Sequence, residues 1–148
     1  MKKIKIGLTA VVLLFAISAF ALEPVKLTPA VKAAFEKNFS NARGVSWEKN
    51  NEFYFASFTL NNEDVDAAYN ETGELIGISR RISIKDLPLN ISLTLAERYA
   101  GYEVDKTAVE LTVEGSTWYS FKVKSGEKLL KLKAYANGEI TVESKVKI

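Results

Sequence analysis

The stretch Val45 to Leu75, VSWEKNNEFYFASFTLNNEDVDAAYNETGEL, constrains the fold more than any other part of the chain. Its aromatic and aliphatic residues fall on alternate positions, the period of a strand with one buried face. Asn50-Asn51, Asn61-Asn62 and Asn70-Glu71-Thr72-Gly73 interrupt it with turn residues, glycine supplying a positive φ in the last. The pattern predicts an antiparallel meander. A degraded copy follows at Val109 to Ile140, VELTVEGSTWYSFKVKSGEKLLKLKAYANGEI, whose Asn137-Gly138 is the strongest short hairpin signal in the chain.

Each meander follows one short amphipathic segment. Before the first, Thr28 is an N-cap and Pro29 suits the first helical position. Val31, Ala34, Phe35 and Phe39 then share one helical face, with Lys32, Glu36 and Lys37 on the other. Before the second, Asp86-Leu87-Pro88 starts a helix in which Ile91, Leu95 and Tyr99 repeat the spacing of Val31, Phe35 and Phe39, and Gly101 ends it. The expected fold is α+β: a tandem repeat of one helix plus a four-stranded antiparallel sheet, with repeats at about 28–84 and 86–148. Each helix should cover one face of its sheet, because an isolated sheet cannot bury its apolar side alone. Leu75 to Ile84 reads as one long strand with Ile76, Ile78, Ile82 and Ile84 on a single face.

The first 21 residues read as a separate segment. Lys2, Lys3 and Lys5 precede a charge-free apolar run from Ile6 to Phe20, and Ala19-Phe20-Ala21 has the small-x-small form of a signal peptidase site. A signal peptide cleaved after Ala21 is expected, leaving 22–148 as the mature domain, periplasmic or secreted. No cysteine follows to carry a lipid, and no second apolar run follows to span a membrane. Removing three of 20 basic residues and none of 18 acidic ones leaves 17 − 18 = −1, so no positive excess points to nucleic acid. A secreted chain without cysteine must also stand on its core rather than on disulfides.

The chain contains neither His nor Cys. That removes Ser-His-Asp triads, thiolate nucleophiles and His- or Cys-ligated zinc. No glycine-rich loop precedes a helix, so no phosphate cradle is indicated. Carboxylates remain at Glu63, Asp64, Asp66 and Glu71. Counted from Asp64, a calcium loop fails at its fifth and sixth places, which hold Ala68 and Tyr69. The expectation is no catalytic residue, no cofactor and no metal. The length, the lack of cysteines and the lysine-rich leader fit a bacterial export route, so the matches of Asn38-Phe39-Ser40, Asn70-Glu71-Thr72 and Asn90-Ile91-Ser92 to the glycosylation pattern are read as chance.

Several motifs carry a family likeness. They are the helix ending at Phe39, the V-x-W of Val45 to Trp47, and FYFASF at Phe53 to Phe58. AYNETGEL at Ala68 to Leu75, Leu87-Pro88, and YANGEI at Tyr135 to Ile140 complete the set. Together they resemble the exported PepSY-like proteins with a beta-lactamase-inhibitor-like fold that are frequent in Bacteroidetes. Ser40 departs from the pattern, which often has proline before the V-x-W strand. The resemblance implies a helix-plus-sheet repeat, a place outside the cytoplasm and no known catalysis. Inhibition of an enzyme is suggested by the name of the fold alone.

Alternation assigns faces. With Tyr54, Ala56 and Phe58 turned to the core, Phe53 and Phe55 turn away. By the same rule Trp118 and Tyr135 turn away beside Lys122, Lys131 and Lys133. Aromatics with cationic neighbours are common interface anchors, so these seven residues are the expected partner-binding set. The partner is expected to be a protein or an envelope component. On this view Phe55 and Trp118 can be removed without loss of the fold. The competing account is that the rings pack within the fold, under a loop or at the junction of the halves. A second functional reading is a small hydrophobic or glycan ligand held in a cleft between the repeats.

Overall fold

The computed structural model describes residues 24–148. The expected signal segment and its cleavage after Ala21 lie outside the described residues. Within them, in chain order, are α1 (Pro29–Asn38), β1 (Arg43–Asn50), β2 (Phe53–Leu60), β3 (Glu63–Asn70) and β4 (Leu75–Ser83). A 3-10 turn at Ile84–Asp86 leads to α2 (Leu89–Arg98). The chain continues through β5 (Glu103–Val104), β6 (Thr107–Val113), β7 (Ser116–Ser125), β8 (Lys128–Tyr135) and β9 (Ile140–Lys147).

The expectation of two separate four-stranded sheets, each with its helix, is overturned. The strands form one nine-stranded sheet in the order β1-β2-β3-β4-β6-β7-β8-β9, and β5 pairs with β7. Backbone chemistry supplies the reason. A meander ending at β4 would leave a row of unpaired N–H and C=O groups along that strand, and pairing with another strand satisfies them. Close to the end of β4, Ile84 N donates to the Lys106 carbonyl at 2.9 Å, and Arg80 Nε meets Glu110 Oε1 at 2.6 Å. No turn motif announces this pairing, because α2 and β5 lie between the strands. Strand β5, two residues long, was not expected; it extends the β6 side of β7 through Glu103↔Lys124 and Val104↔Val123.

Two compact units divide the chain, the second running Arg80–Ile148. In the first, α1 buries Val31 and Phe35 against Tyr54, Ala56, Phe58, Val65, Ala67 and Tyr69. The Phe35 ring lies 5.0 Å from Trp47 and 5.1 Å from Phe58, both edge-on, a geometry that suits aromatic quadrupoles. Tyr69 is fully buried and its hydroxyl accepts from Asn38 Nδ2 at 3.1 Å. Thr28 Oγ1 accepts from Val31 N, as a cap should, and donates to the Glu71 carbonyl. The β3–β4 hairpin therefore fastens the start of the helix. Gly73 is fixed by that approach: its φ is +82°, and a Cβ there would lie 2.6 Å from the Ala30 carbonyl oxygen.

In the second unit, Ile91, Leu95 and Tyr99 line up along α2 and its C-terminal end, against Tyr119, Phe121, Val123, Leu130, Leu132, Ala134 and Ile140. Asn90 Nδ2 donates to the Ala136 carbonyl beside the β8–β9 hairpin. The three glycosylation-like asparagines thus have structural partners, Asn70 accepting from Thr72 N and Glu74 N within its own turn. The shared face expected for the β4 isoleucines does not hold. Ile78 packs with the α1-side core and Ile76 packs with Phe55 and Ala68.

Candidate interaction face

Register places each expected site residue. In the first unit, Phe55 faces Ala68 across β2–β3 and Phe53 faces Asn70. Both rings lie on the sheet face turned from α1, as alternation predicts. Neither is an isolated surface ring. Phe55 is only 7% exposed, and it clusters with Ala68, Phe53 and Ile76. The expectation that Phe55 can be removed freely is therefore corrected: a ring buried on the outer side of a sheet is a packing element. The same face carries Asp66, whose Oδ1 accepts from Ser57 Oγ at 2.6 Å and whose Oδ2 accepts from the buried Ser79 Oγ at 3.2 Å.

The acidic residues singled out by sequence do not converge. Asp66 is held by the two serines, while Glu71 pairs with Lys49 at 3.3 Å. Among the described residues no group of three or more acidic side chains could hold a metal ion. Lys49 also stacks over Tyr54 at 4.8 Å, and hydrogen bonding to Tyr54 and then Glu71 raises its pKa above 10.5.

The second unit assembles the other five residues on two neighbouring strands. Register pairs Trp118 with Tyr135, Ser120 with Lys133, and Lys122 with Lys131. Alternation sets all six on the face turned from α2, because the residues between them on β7, Tyr119 and Phe121, belong to the α2-side core. The result is a grid two strands wide and three residue pairs long, aromatic at one end and cationic at the other. Lys133 joins the ends: its Nζ lies 4.3 Å from the Trp118 ring centroid and 5.2 Å from that of Tyr135. Trp118 is 8% exposed, with the buried Leu111 opposite it on β6, so it too is a packing element. Tyr135 and Lys133 are half-buried, and Lys122 and Lys131 are exposed.

Electrostatically the grid is unbalanced. Lys131 forms an ion pair with Glu143 at 3.1 Å. Lys122, directly opposite it, has no such partner among the described residues, and like charges facing each other across strands are destabilising. On the same face Lys124 lies opposite Glu103 of β5. Sequence reasoning placed the lysines on this face but missed the cross-strand Lys122–Lys131 pair, which depends on the β7–β8 register. It also missed the burial of Leu111 and Val113 beside them, at 5% and 1% exposure. Alternation signalled their common face and could not reveal what covers it.

Behind the grid, Tyr119 and Glu110 face each other across β6–β7. Burial first, then the Glu110 charge and hydrogen bond, push the Tyr119 phenol above its usual 10.0, against the opposing pull of Arg80. Burial raises the Tyr69 phenol likewise, moderated by the bond from Asn38.

Among the described residues, cavities open within each unit. One of about 500 Å³ lies between the loop after α1 and the β2–β3 turn, lined by Ser40, Asn41, Arg43, Thr59, Asn61 and Asn62 among others. Another of about 670 Å³ lies beside Tyr102, the β7–β8 turn and the end of β9. Among the described residues no helix is long and apolar enough to cross a membrane.

No protein-family model matches the chain, and no curated protein matches it significantly. Solved structures do. A BLIP-like protein from Bacteroides fragilis NCTC 9343 superposes with a TM-score of 0.70 at 23% identity, over 84% of this chain and 89% of that one. A DUF2874 family protein from Bacteroides ovatus ATCC 8483 gives 0.69 at 18% identity, over 83% and 89%. A candidate periplasmic protein from Bacteroides eggerthii DSM 20697 gives 0.69 at 16% identity, over 84% and 91%. At these identities the likeness is one of fold: the chain folds as the BLIP-like and DUF2874 proteins of Bacteroides do.

Proposed function

We propose that the chain is a non-enzymatic, exported binding module that holds a protein or envelope component on the β7–β8 face turned from α2. The observation that carries the reading is the β7–β8 grid, in which Tyr135 and three lysines share one face with a cross-strand like-charge pair. Like charges left facing each other cost stability, and such local conflicts concentrate at functional sites. The absence of His and Cys weighs against most acid–base and nucleophilic chemistry. Export rests on Lys2, Lys3, Lys5 and the apolar run before Ala21, and kinship with PepSY-like proteins rests on the short motifs from Phe39 to Ile140. Among proteins of the same fold, one is described as BLIP-like and one as a periplasmic candidate.

The experiment is comparative capture from envelope extract of the source organism. Bait carrying Lys122→Glu with Lys131→Glu is set against the unchanged chain. Both substituted side chains are exposed, so the fold should survive, which circular dichroism verifies. Loss of specific bands from the substituted bait is expected. An identical capture profile rejects this face as the binding surface. Phe55→Ser and Trp118→Ser are unsuitable here, because both rings are buried and their loss would perturb the fold itself.

A further inference from the structure

We infer that the β7–β8 grid accepts an extended acidic protein segment with carboxylates two residues apart and an apolar side chain two residues further on. The inference rests on the binding reading above and specifies its partner.

Charge sets the class of ligand. The face carries Lys122, Lys124, Lys131 and Lys133, and the acidic groups near them are Glu143, paired with Lys131, Glu103, opposite Lys124, and Asp105, which continues that register and whose backbone N donates to the Lys122 carbonyl at 3.0 Å. Among the described residues, neither Lys122 nor Lys133 is held in an ion pair. They are diagonal neighbours, about 7–8 Å apart in a regular antiparallel pair. Their fields therefore overlap within a Debye length of about 8 Å at physiological salt. A partner carboxylate would relieve the repulsion that the unliganded face retains.

Spacing sets the form. Lys131, Lys133 and Tyr135 follow one another at every second residue of β8, a step of roughly 6.6–6.8 Å. An extended segment lying along β8 has the same step between its own alternate side chains. An acidic residue at its first place, level with the Lys122–Lys131 pair, meets Lys122, one at its third place meets Lys133, and an apolar residue at its fifth meets Tyr135 and the rim of Trp118.

The rings argue for protein over glycan. Sugar binding on an aromatic shelf needs an open ring face. Lys133 already lies over Trp118 and near Tyr135, and Trp118 is 8% exposed.

The test uses a fluorescent peptide with the pattern Glu-x-Glu-x-Phe, its Gln-x-Gln-x-Phe counterpart and a carboxylated polysaccharide. Each is titrated into the full chain at low and physiological salt. The acidic peptide should bind, weaken with salt, and lose about tenfold or more in affinity with Lys122→Glu/Lys131→Glu, the scale of one lost charge-assisted hydrogen bond. The milder Lys122→Gln/Lys131→Gln should lose affinity in the same direction, which guards against misfolding of the charge-reversed form. Equal binding of the Gln peptide overturns the acidic specificity and leaves the face standing. Binding of the polysaccharide alone overturns the inference in favour of a glycan. A salt-sensitive dimer of the free chain, abolished by the same substitutions in sedimentation, would assign the face to a second copy and overturn it too. Failure of the acidic peptide to bind overturns the inference, and if envelope capture is also unchanged by the substitutions, the binding reading falls with it.

Discussion

At the scale of single residues, backbone constraint and surface charge make separable predictions. Gly73 and Gly115 both have positive φ, +82° and +78°, so an alanine at either is strained by roughly 1–2 kcal/mol. Only Gly73 also meets the helix, with the Ala30 carbonyl oxygen 2.6 Å from where an alanine Cβ would stand, whereas nothing lies within 4 Å at Gly115. Gly73→Ala should therefore destabilise clearly more than Gly115→Ala in urea denaturation, and equal losses would show that the hairpin does not clamp α1. Lys122 makes the opposite case. Replacing it with Glu converts a cross-strand like pair with Lys131 into an opposite pair, which should leave stability unchanged or raise it by about 0.2–1 kcal/mol. Stability that rises as partner capture falls would mark the lysine as kept for binding. A loss of stability would show that Lys122 has a structural task.

At the scale of elements, the buried outer rings separate packing from recognition. Phe55 packs with Ala68 and Ile76, so Phe55→Ala should cost about 3–5 kcal/mol, the range for a buried ring, and lower the denaturation midpoint accordingly. A loss below about 1 kcal/mol would mean the ring is a surface anchor after all. Alternation made the face of Phe55 legible, because period two is a property of any strand. Its burial was not legible, because the sheet side opposite a helix is solvated in some folds and covered in others. The same division runs through the site. Helix faces, Asn-rich turns and the placement of Lys122, Lys131 and Lys133 on one side of β7 and β8 could be read from spacing alone. The β4–β6 adjacency and the two-residue β5 could not, since no local turn chemistry encodes a pairing reached through a helix. The outermost strands show how the edges are managed. The register shifts between Arg43 and Ser46 in β1, and β9 carries exposed Lys145 and Lys147 beside exposed Val142 and Val146. Irregularity and lysine are two ways of discouraging edge-to-edge pairing.

For the whole molecule, the absence of His and Cys fixes the shape of the pH profile. Between about pH 6 and pH 9 no side chain at its ordinary pKa changes charge, so folding stability should be nearly flat there. Above that window the tyrosines decide. Burial holds the phenols of Tyr69 and Tyr119 above their usual 10.0 in the folded chain, while the unfolded chain releases those protons at the ordinary value. The folded state then binds more protons than the unfolded one, and stability falls as pH rises. This contribution is fully present below about pH 10 and is lost as pH climbs through the folded values. Lys49, held above 10.5 by Tyr54 and Glu71, acts with the same sign. Denaturation series across that range should show a plateau and then a steep alkaline loss, with some tyrosinate absorbance appearing only as the fold is lost. Tyr69→Phe also deletes the acceptor of the Asn38 bond, so its overall stability should drop at every pH. Its alkaline slope, normalised to the plateau, should nevertheless be shallower than that of the unchanged chain. If the normalised slope is the same, the Tyr69 hydroxyl is not the group that couples proton release to unfolding.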